Sequence, residues 1–102
     1  MKLDKYTVGR RYGKALFELA IDSNSAEEIY QELLSLRQIY GEVPGLGNVL
    51  SDVRLEPHEK RIIMDKLISG FDGIVKNFLE VVYSYNRMSD LLFMIDEYEH
   101  RY

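Results

Sequence analysis

Apolar residues recur at helical spacing along almost the whole chain, and this periodicity predicts an all-α fold. In the first segment Val8, Tyr12, Ala15, Leu16 and Leu19 fall at i, i+4, i+7, i+8 and i+11. A second stripe, Tyr6, Gly9, Gly13, Phe17 and Ala20, runs beside it. Two adjacent stripes make an apolar face wider than one neighbouring helix covers, so this first helix has surface for a second contact. The turn formers Asp22, Ser23 and Asn24 end it.

Ser25-x-x-Glu28 reads as a capping box opening a second helix through Ile29, Tyr30, Leu33, Leu34, Leu36 and Tyr40, which breaks at Gly41 and Pro44. Residues 44–52 admit only a short helix, because Gly45 and Gly47 weaken it. Pro57 starts a further helix with Glu59 in its first turn and Ile62, Ile63, Leu67 and Ile68 as its apolar face; Ser69 and Gly70 end it. Asp72 is the expected N-cap of the next helix, which carries Ile74, Val75, Phe78, Leu79, Val81, Val82 and Tyr85 and is apolar on nearly all sides. Such a helix is central, or packed on one side and offered to a partner on the other. Phe78 and Leu79 point to different sides of it, and the pattern leaves open which faces inward. Asn86 can take the left-handed conformation that ends a helix. Ser89 is the expected cap of a last helix with Leu92, Ile95, Tyr98 and Tyr102 on one face. The expectation is one domain over residues 1–102, a compact bundle of six helices, or five if the 44–52 stretch stays irregular.

The charge is unevenly placed. Residues 1–14 carry five basic side chains against one acidic, and the rest of the chain carries eight against sixteen. An acidic body argues against a general nucleic-acid binder, which needs an extended basic surface. The basic cluster of Arg10, Arg11 and Lys14 reads as a solvated helix face or as a means of steering an acidic partner. The alternative function is an unrelated helical adaptor or nucleic-acid module using that same cluster. The chain has no Cys, which removes disulfides, thiolate metal sites and cysteine nucleophiles. No apolar run is long enough for membrane insertion.

Residues for catalysis are lacking. His58 and His100 are far apart and in no metal-ligand spacing, so neither a metal nor a cofactor is expected. Gly45-Leu46-Gly47 lacks the strand and third glycine of a dinucleotide loop. Adjacent carboxylates such as Glu27–Glu28 and Asp96–Glu97 diverge on a helix and belong to a solvated face. Gly9-x-x-x-Gly13 needs its own explanation, since two glycines inside a helix cost about 1 kcal/mol each relative to Ala. They stack on one side and allow close approach of another helix, either within the bundle, which is the favoured reading, or from a partner.

The run Thr7-Val8-Gly9-Arg10-Arg11-Tyr12-Gly13-Lys14-Ala15-Leu16-Phe17-Glu18-Leu19-Ala20 resembles the opening helix of the delta subunit of F-type ATP synthases, called OSCP in mitochondria. The family pattern there is Ala-Arg-x-Tyr-Ala-x-Ala-Leu-Phe-x-x-Ala. Asn77-Phe78-Leu79-x-Val81-Val82 leading to Asn86-Arg87-Met88 resembles the family's Asn-Phe-Leu-x-Leu-Leu followed by Asn-Gly-Arg-Leu. Glu59-Lys60 and Leu92-x-x-Ile95 fit in order and spacing. In this chain Gly9 and Gly13 replace two family alanines, and Asn86 replaces the family's helix-ending glycine.

The resemblance implies a six-helix N-terminal domain, with the family's C-terminal region absent, acting as a non-catalytic stator component on top of the catalytic head. It implies that a groove between the first and fifth helices holds the amphipathic N-terminal helix of an alpha subunit, while the C-terminal region joins the b subunit of the peripheral stalk. On this reading Val8, Tyr12, Ala15, Leu16 and Leu19 face Phe78, Val81, Val82 and Tyr85 across the groove, with Arg10, Arg11 and Lys14 at its rim. The implied location is peripheral, on the cytoplasmic side of a cell membrane. A motif starting at Thr7 leaves no room for a transit peptide and fits a bacterial origin.

Overall fold

A computed structural model describes residues 4–102. Its order is α1 (Lys5–Asp22), α2 (Ala26–Glu42), α3 (Leu46–Ser51), α4 (Pro57–Ile68), α5 (Gly73–Ser84), a single 3-10 turn (Met88–Asp90) and α6 (Leu91–Arg101). Among the described residues there is no strand. The predicted all-α bundle is therefore present with six α-helices, and the glycine-weakened stretch does form a short one.

The ends of the helices separate local chemistry from pattern. Asp4 caps α1, its carboxylate accepting the Thr7 N–H at 2.9 Å. Ser25 precedes α2 as expected, but no capping box forms: its hydroxyl lies 2.7 Å from that of Ser23 instead. At α4 the side chain of Glu56, just ahead of Pro57, accepts the Glu59 N–H at 3.2 Å. Asp72 stands at the N-cap of α5 without a side-chain bond, and Asn86 takes the left-handed conformation (φ 60°) just after that helix. The last helix begins one residue later than Ser89 as its cap implies. A 3-10 turn runs through Ser89, whose N–H is taken by the Ser51 hydroxyl at 3.0 Å, and Asp90 is the N-cap.

The core is one cluster fed by every helix, with Leu33, Leu36, Leu50, Met64, Val75, Leu79, Leu91, Met94 and Tyr98 closed from solvent. The apolar faces read for α4 and α6 are buried at Leu67, Ile68, Ile95 and Tyr98, and depart from the sequence reading at single positions. On α4 Met64 is buried while Ile62 is exposed, and on α6 Leu91 and Met94 are buried while Leu92 is exposed. Met64 stands three and four residues before Leu67 and Ile68, and Leu91 and Met94 stand four before Ile95 and Tyr98, so each belongs to the same buried face. Buried Tyr98 and half-buried Tyr40 keep their hydroxyls satisfied. Tyr98 donates to the Ala26 carbonyl at 2.7 Å and Tyr40 to the Met88 carbonyl at 2.8 Å. Burial pushes the Tyr98 phenol up to about 12.

The dominant helix pair is α1 with α6, packed parallel and in close contact. Gly9 and Gly13 make the approach possible. A Cβ at Gly9 would stand 2.6 Å from the Phe93 Cβ, and one at Gly13 would stand 2.6 Å from both the Met94 carbonyl oxygen and the Glu97 Cβ. The two glycines thus serve packing within the bundle. Around this seam Phe17 meets Tyr98 edge-on at 5.3 Å and Tyr6 meets Phe93 at 5.0 Å between ring centroids. Arg37 of α2 ties α6 from the other side, reaching Asp96 at 2.9 Å and Glu99 at 3.1 Å. Tyr30 donates to the same Glu99 at 2.6 Å.

Candidate functional site: an apolar groove between two helices

While α6 covers one side of α1, α5 packs on α2, and α1 and α5 are not among the closely packed helix pairs. They run in opposite directions: Tyr85, Asn86 and Arg87, at and beyond the end of α5, border the same surface hollow as Asp4, Lys5 and Tyr6 at the start of α1. The space left between them is a groove of about 530 Å³. Its α1 wall is Arg11, Tyr12, Ala15, Leu16 and Leu19, and its α5 wall is Ile74, Asn77, Phe78, Val81 and Tyr85.

The groove exposes side chains that a helical bundle ordinarily buries. Leu19 is 49% exposed, Val81 47% and Tyr85 66%, and all three line it. Tyr12 and Phe78 form the floor, packed against the core by their inner edges, and Leu16 is buried beneath them. The question of Phe78 against Leu79 is resolved by rotation. Leu79 is wholly buried with Val75 and Val82 on the inner face of α5, and Phe78 turns to the groove.

Seven of the nine apolar residues picked from the sequence are brought together here: Tyr12, Ala15, Leu16, Leu19, Phe78, Val81 and Tyr85. Val8 and Val82 are not. Val8 is 1% exposed and Val82 0%. Val8 shares the stripe of Tyr12, but it lies at the end of α1 that packs against the 3-10 turn. Val82 falls three residues after Leu79 and shares its inward face. The basic cluster is also divided. Arg11 lines the groove. Arg10 turns to the α6 side, beside Tyr6, Phe93, Asp96 and Glu97, where it donates to the Thr7 hydroxyl at 3.3 Å. Lys14 is exposed and lines neither.

Ile74 and Asn77 complete the site and were not among the sequence candidates. Their signal was present: counting back from Phe78 and Val81 by four gives both positions on the same side of α5. Chemically the site offers apolar and aromatic surface with one cation, one amide and two phenols. What the groove offers is shape and apolar surface.

The sequence profile described as ATP synthase delta (OSCP) subunit matches residues 8–102. Over all 102 residues the chain is 95% identical to the ATP synthase subunit delta of Enterococcus hirae and 69% identical to that of Enterococcus faecalis. It is 40% identical over the same span to the ATP synthase subunit delta of Latilactobacillus sakei. In each case it covers 57% of the relative's own length, so the chain spans little more than half of the curated relatives it matches. Among the described residues no helix is long and apolar enough to cross a membrane. By the profile and these identities, the chain belongs to the ATP synthase delta (OSCP) subunit family.

Proposed function

We propose that this chain is a non-catalytic stator module of an F-type ATP synthase that grips the N-terminal helix of an alpha subunit in the groove between α1 and α5. The observation that carries the reading is the open groove itself, in which Leu19, Val81 and Tyr85 stay exposed although the core beside them is closed. An amphipathic helix laid in such a groove would place anchors at i, i+3 or i+4, and i+7 onto its two walls. From Ile74 to Tyr85 the α5 wall runs about 16 Å at ~1.5 Å per residue, enough to cover about three turns of a partner helix. A contact of ordinary size would bury about 800 Å² on each side.

A stator resists torque, so the bond must dissociate slowly. Slow dissociation comes from a desolvated aromatic and aliphatic centre rather than from rim charges. Tyr12, Phe78 and Val81 supply that centre, with Ala15 as the small position that lets the partner backbone approach. In this reading the remaining part of the relatives' length joins the b subunit of the peripheral stalk. The assembly lies at the cytoplasmic face of a bacterial membrane, coupling proton-driven rotation to ATP synthesis without inserting this domain in the bilayer.

The test is titration of the isotope-labelled chain with a synthetic peptide of the alpha-subunit N-terminal helix. The expected result is amide shifts confined to the two groove walls, with Tyr12→Ala or Val81→Asp weakening binding more than tenfold. No heat and no shifts at high micromolar peptide would overturn the reading. Nothing in the structure favours a nucleic-acid module, since Arg10 sits against an acidic pair and away from Arg11.

A further inference from the structure

Gly47 stands inside a six-residue helix that it weakens, and it takes no part in lining the groove. What lies opposite explains its place. A Cβ at Gly47 would stand 2.8 Å from the Met88 carbonyl oxygen, 3.0 Å from the Tyr40 ring and 3.1 Å from the Ser89 Cα. Without that carbon α3 rests directly on the 3-10 turn, and the two elements are closely packed. Two hydrogen bonds hold the same turn. The Tyr40 hydroxyl donates to the Met88 carbonyl at 2.8 Å, and the Ser51 hydroxyl oxygen accepts the Ser89 N–H at 3.0 Å. Burial raises the Tyr40 phenol above its ordinary value of 10.0, so it keeps the proton it donates. The Met88 side chain is fully buried and anchors the turn in the core.

This turn relates the two walls of the groove to each other. Among the described residues α1 and α5 are not a closely packed pair, while α2 and the turn each pack closely against both. Arg87, which leads into the turn, donates its N–H to the Val82 carbonyl at 2.9 Å, one residue from Val81 on the groove wall. On its other side the turn runs without a break into α6, where Phe93 is the residue that Gly9 of α1 rests against. A movement of the turn therefore carries the Val81 and Tyr85 end of one wall and, through Phe93, the start of the other. Close-packed elements pass such a displacement on, because they have little free volume to absorb it.

We propose that α3 is a latch on the 3-10 turn that sets the spacing of the groove walls, with Tyr40, Gly47 and Ser51 as positioning residues for the binding of a helix. None of the three lines the groove, so their effect on binding passes through the turn. The part of the inference that concerns binding rests on the proposed function, and the part that concerns spacing does not. A groove held at one width is preorganised for its ligand, whereas walls free to drift would have to be ordered when the ligand binds. Gly47 thus has a use in the fold that its poor helix propensity opposes.

The chain has no cysteine, so nitroxides can be attached at Lys14→Cys on α1 and Lys76→Cys on α5, both exposed and outside the groove lining. Pulsed electron-spin measurement on the 102-residue chain is expected to give one narrow wall-to-wall distance, which Tyr40→Phe, Ser51→Ala and Gly47→Ala each shift or broaden. Tyr40→Phe and Ser51→Ala are expected to bind the alpha-subunit N-terminal peptide about two- to fivefold more weakly, in keeping with the loss of one hydrogen bond. Ser51→Thr keeps the hydroxyl and is expected to match the parent. Tyr98→Phe, which gives up a comparable hydroxyl on the far part of α6, is expected to do the same. Binding is read well below the unfolding midpoint, where lost stability alone changes nothing. Distances unchanged in Tyr40→Phe and Ser51→Ala, or changed equally in Tyr98→Phe, would overturn the latch; altered distances with parental affinity would overturn its role in binding. A parent chain that binds no peptide overturns the reading of the groove, and the distances still decide whether α3 sets its width.

Discussion

Ala15 and Ala20 are identical side chains on one helix, yet Ala20 is fully buried and Ala15 is exposed. The difference lies in what stands opposite each. On the Gly9, Gly13 and Ala20 side α6 comes in so close that a methyl group at either glycine would collide with its backbone or Cβ atoms. On the Tyr12, Ala15 and Leu19 side α5 stands off and a groove remains. Both faces are apolar enough to pack. One is closed within the chain, and on the proposed function the other is left for a second molecule, so stability and binding should be separable by substitution.

The largest effect should come from the closed side. Tyr98, wholly buried between Phe17 and Tyr30, is expected to cost about 3–5 kcal/mol on change to Ala, read as a shift in urea midpoint. Tyr98→Phe removes only the hydroxyl that meets the Ala26 carbonyl and is expected to cost about 1 kcal/mol. Next comes Gly13→Ala. Overpacking of about 1–3 kcal/mol against Met94 and Glu97 is partly offset by about 1 kcal/mol of helix propensity, leaving a net loss. A stabilised Gly13→Ala variant would show that the seam yields, and the contrast between the faces would lose its steric basis.

On the open side the ranking reverses. Val81→Asp replaces a half-exposed side chain and is expected to change unfolding free energy by less than about 1 kcal/mol, while binding of the alpha-subunit peptide falls more than tenfold. Substantial unfolding of this variant would mean the α5 wall belongs to the core.

The smallest effect concerns pH. Hydrogen bonds from Arg37 and then from Tyr30 hold the Glu99 carboxyl below its ordinary value of 4.5. A carboxylate with a depressed folded pKa stabilises fully above its unfolded value and loses that contribution as pH falls through the folded one. Thermal stability should therefore decline below about pH 4.5, and Glu99→Gln should flatten part of that decline. Since Glu99 joins α6 to α2 and stands away from the groove, peptide binding at neutral pH should be unaffected by the change.

Most of the architecture was legible because helical period is a local property. Five of the six helices were marked by a stripe, while the short α3 was left open between helix and irregular chain, and breakers such as Asp22–Asn24 and Ser69–Gly70 stand where α1 and α4 end. The groove was legible on its α1 side for the same reason, through a face too wide for one neighbour. Capping was read less well. Ser25 and Glu28 have the right spacing, but the Ser25 hydroxyl found Ser23, and Asp90 displaced Ser89 once the 3-10 turn had formed. Both outcomes depend on where the preceding loop delivers the chain, which no short motif encodes.

The apolar surplus on α1 and α5 was determined by the sequence alone, because amphipathic width is fixed by residue order and a rotation of 100° per residue. Which members of that surplus stay open was decided only by the tertiary structure. Val8 and Val82 belong to the same stripes as Tyr12 and Leu79, and they are buried by elements far away in sequence or by a turn of the helix inward. Phe78 faces the groove and Leu79 the core because α5 rests on α2 at one particular rotation. A stripe says how much of a helix can be buried; only the neighbours, set by crossing direction and by two glycines that admit α6, decide what remains for a partner.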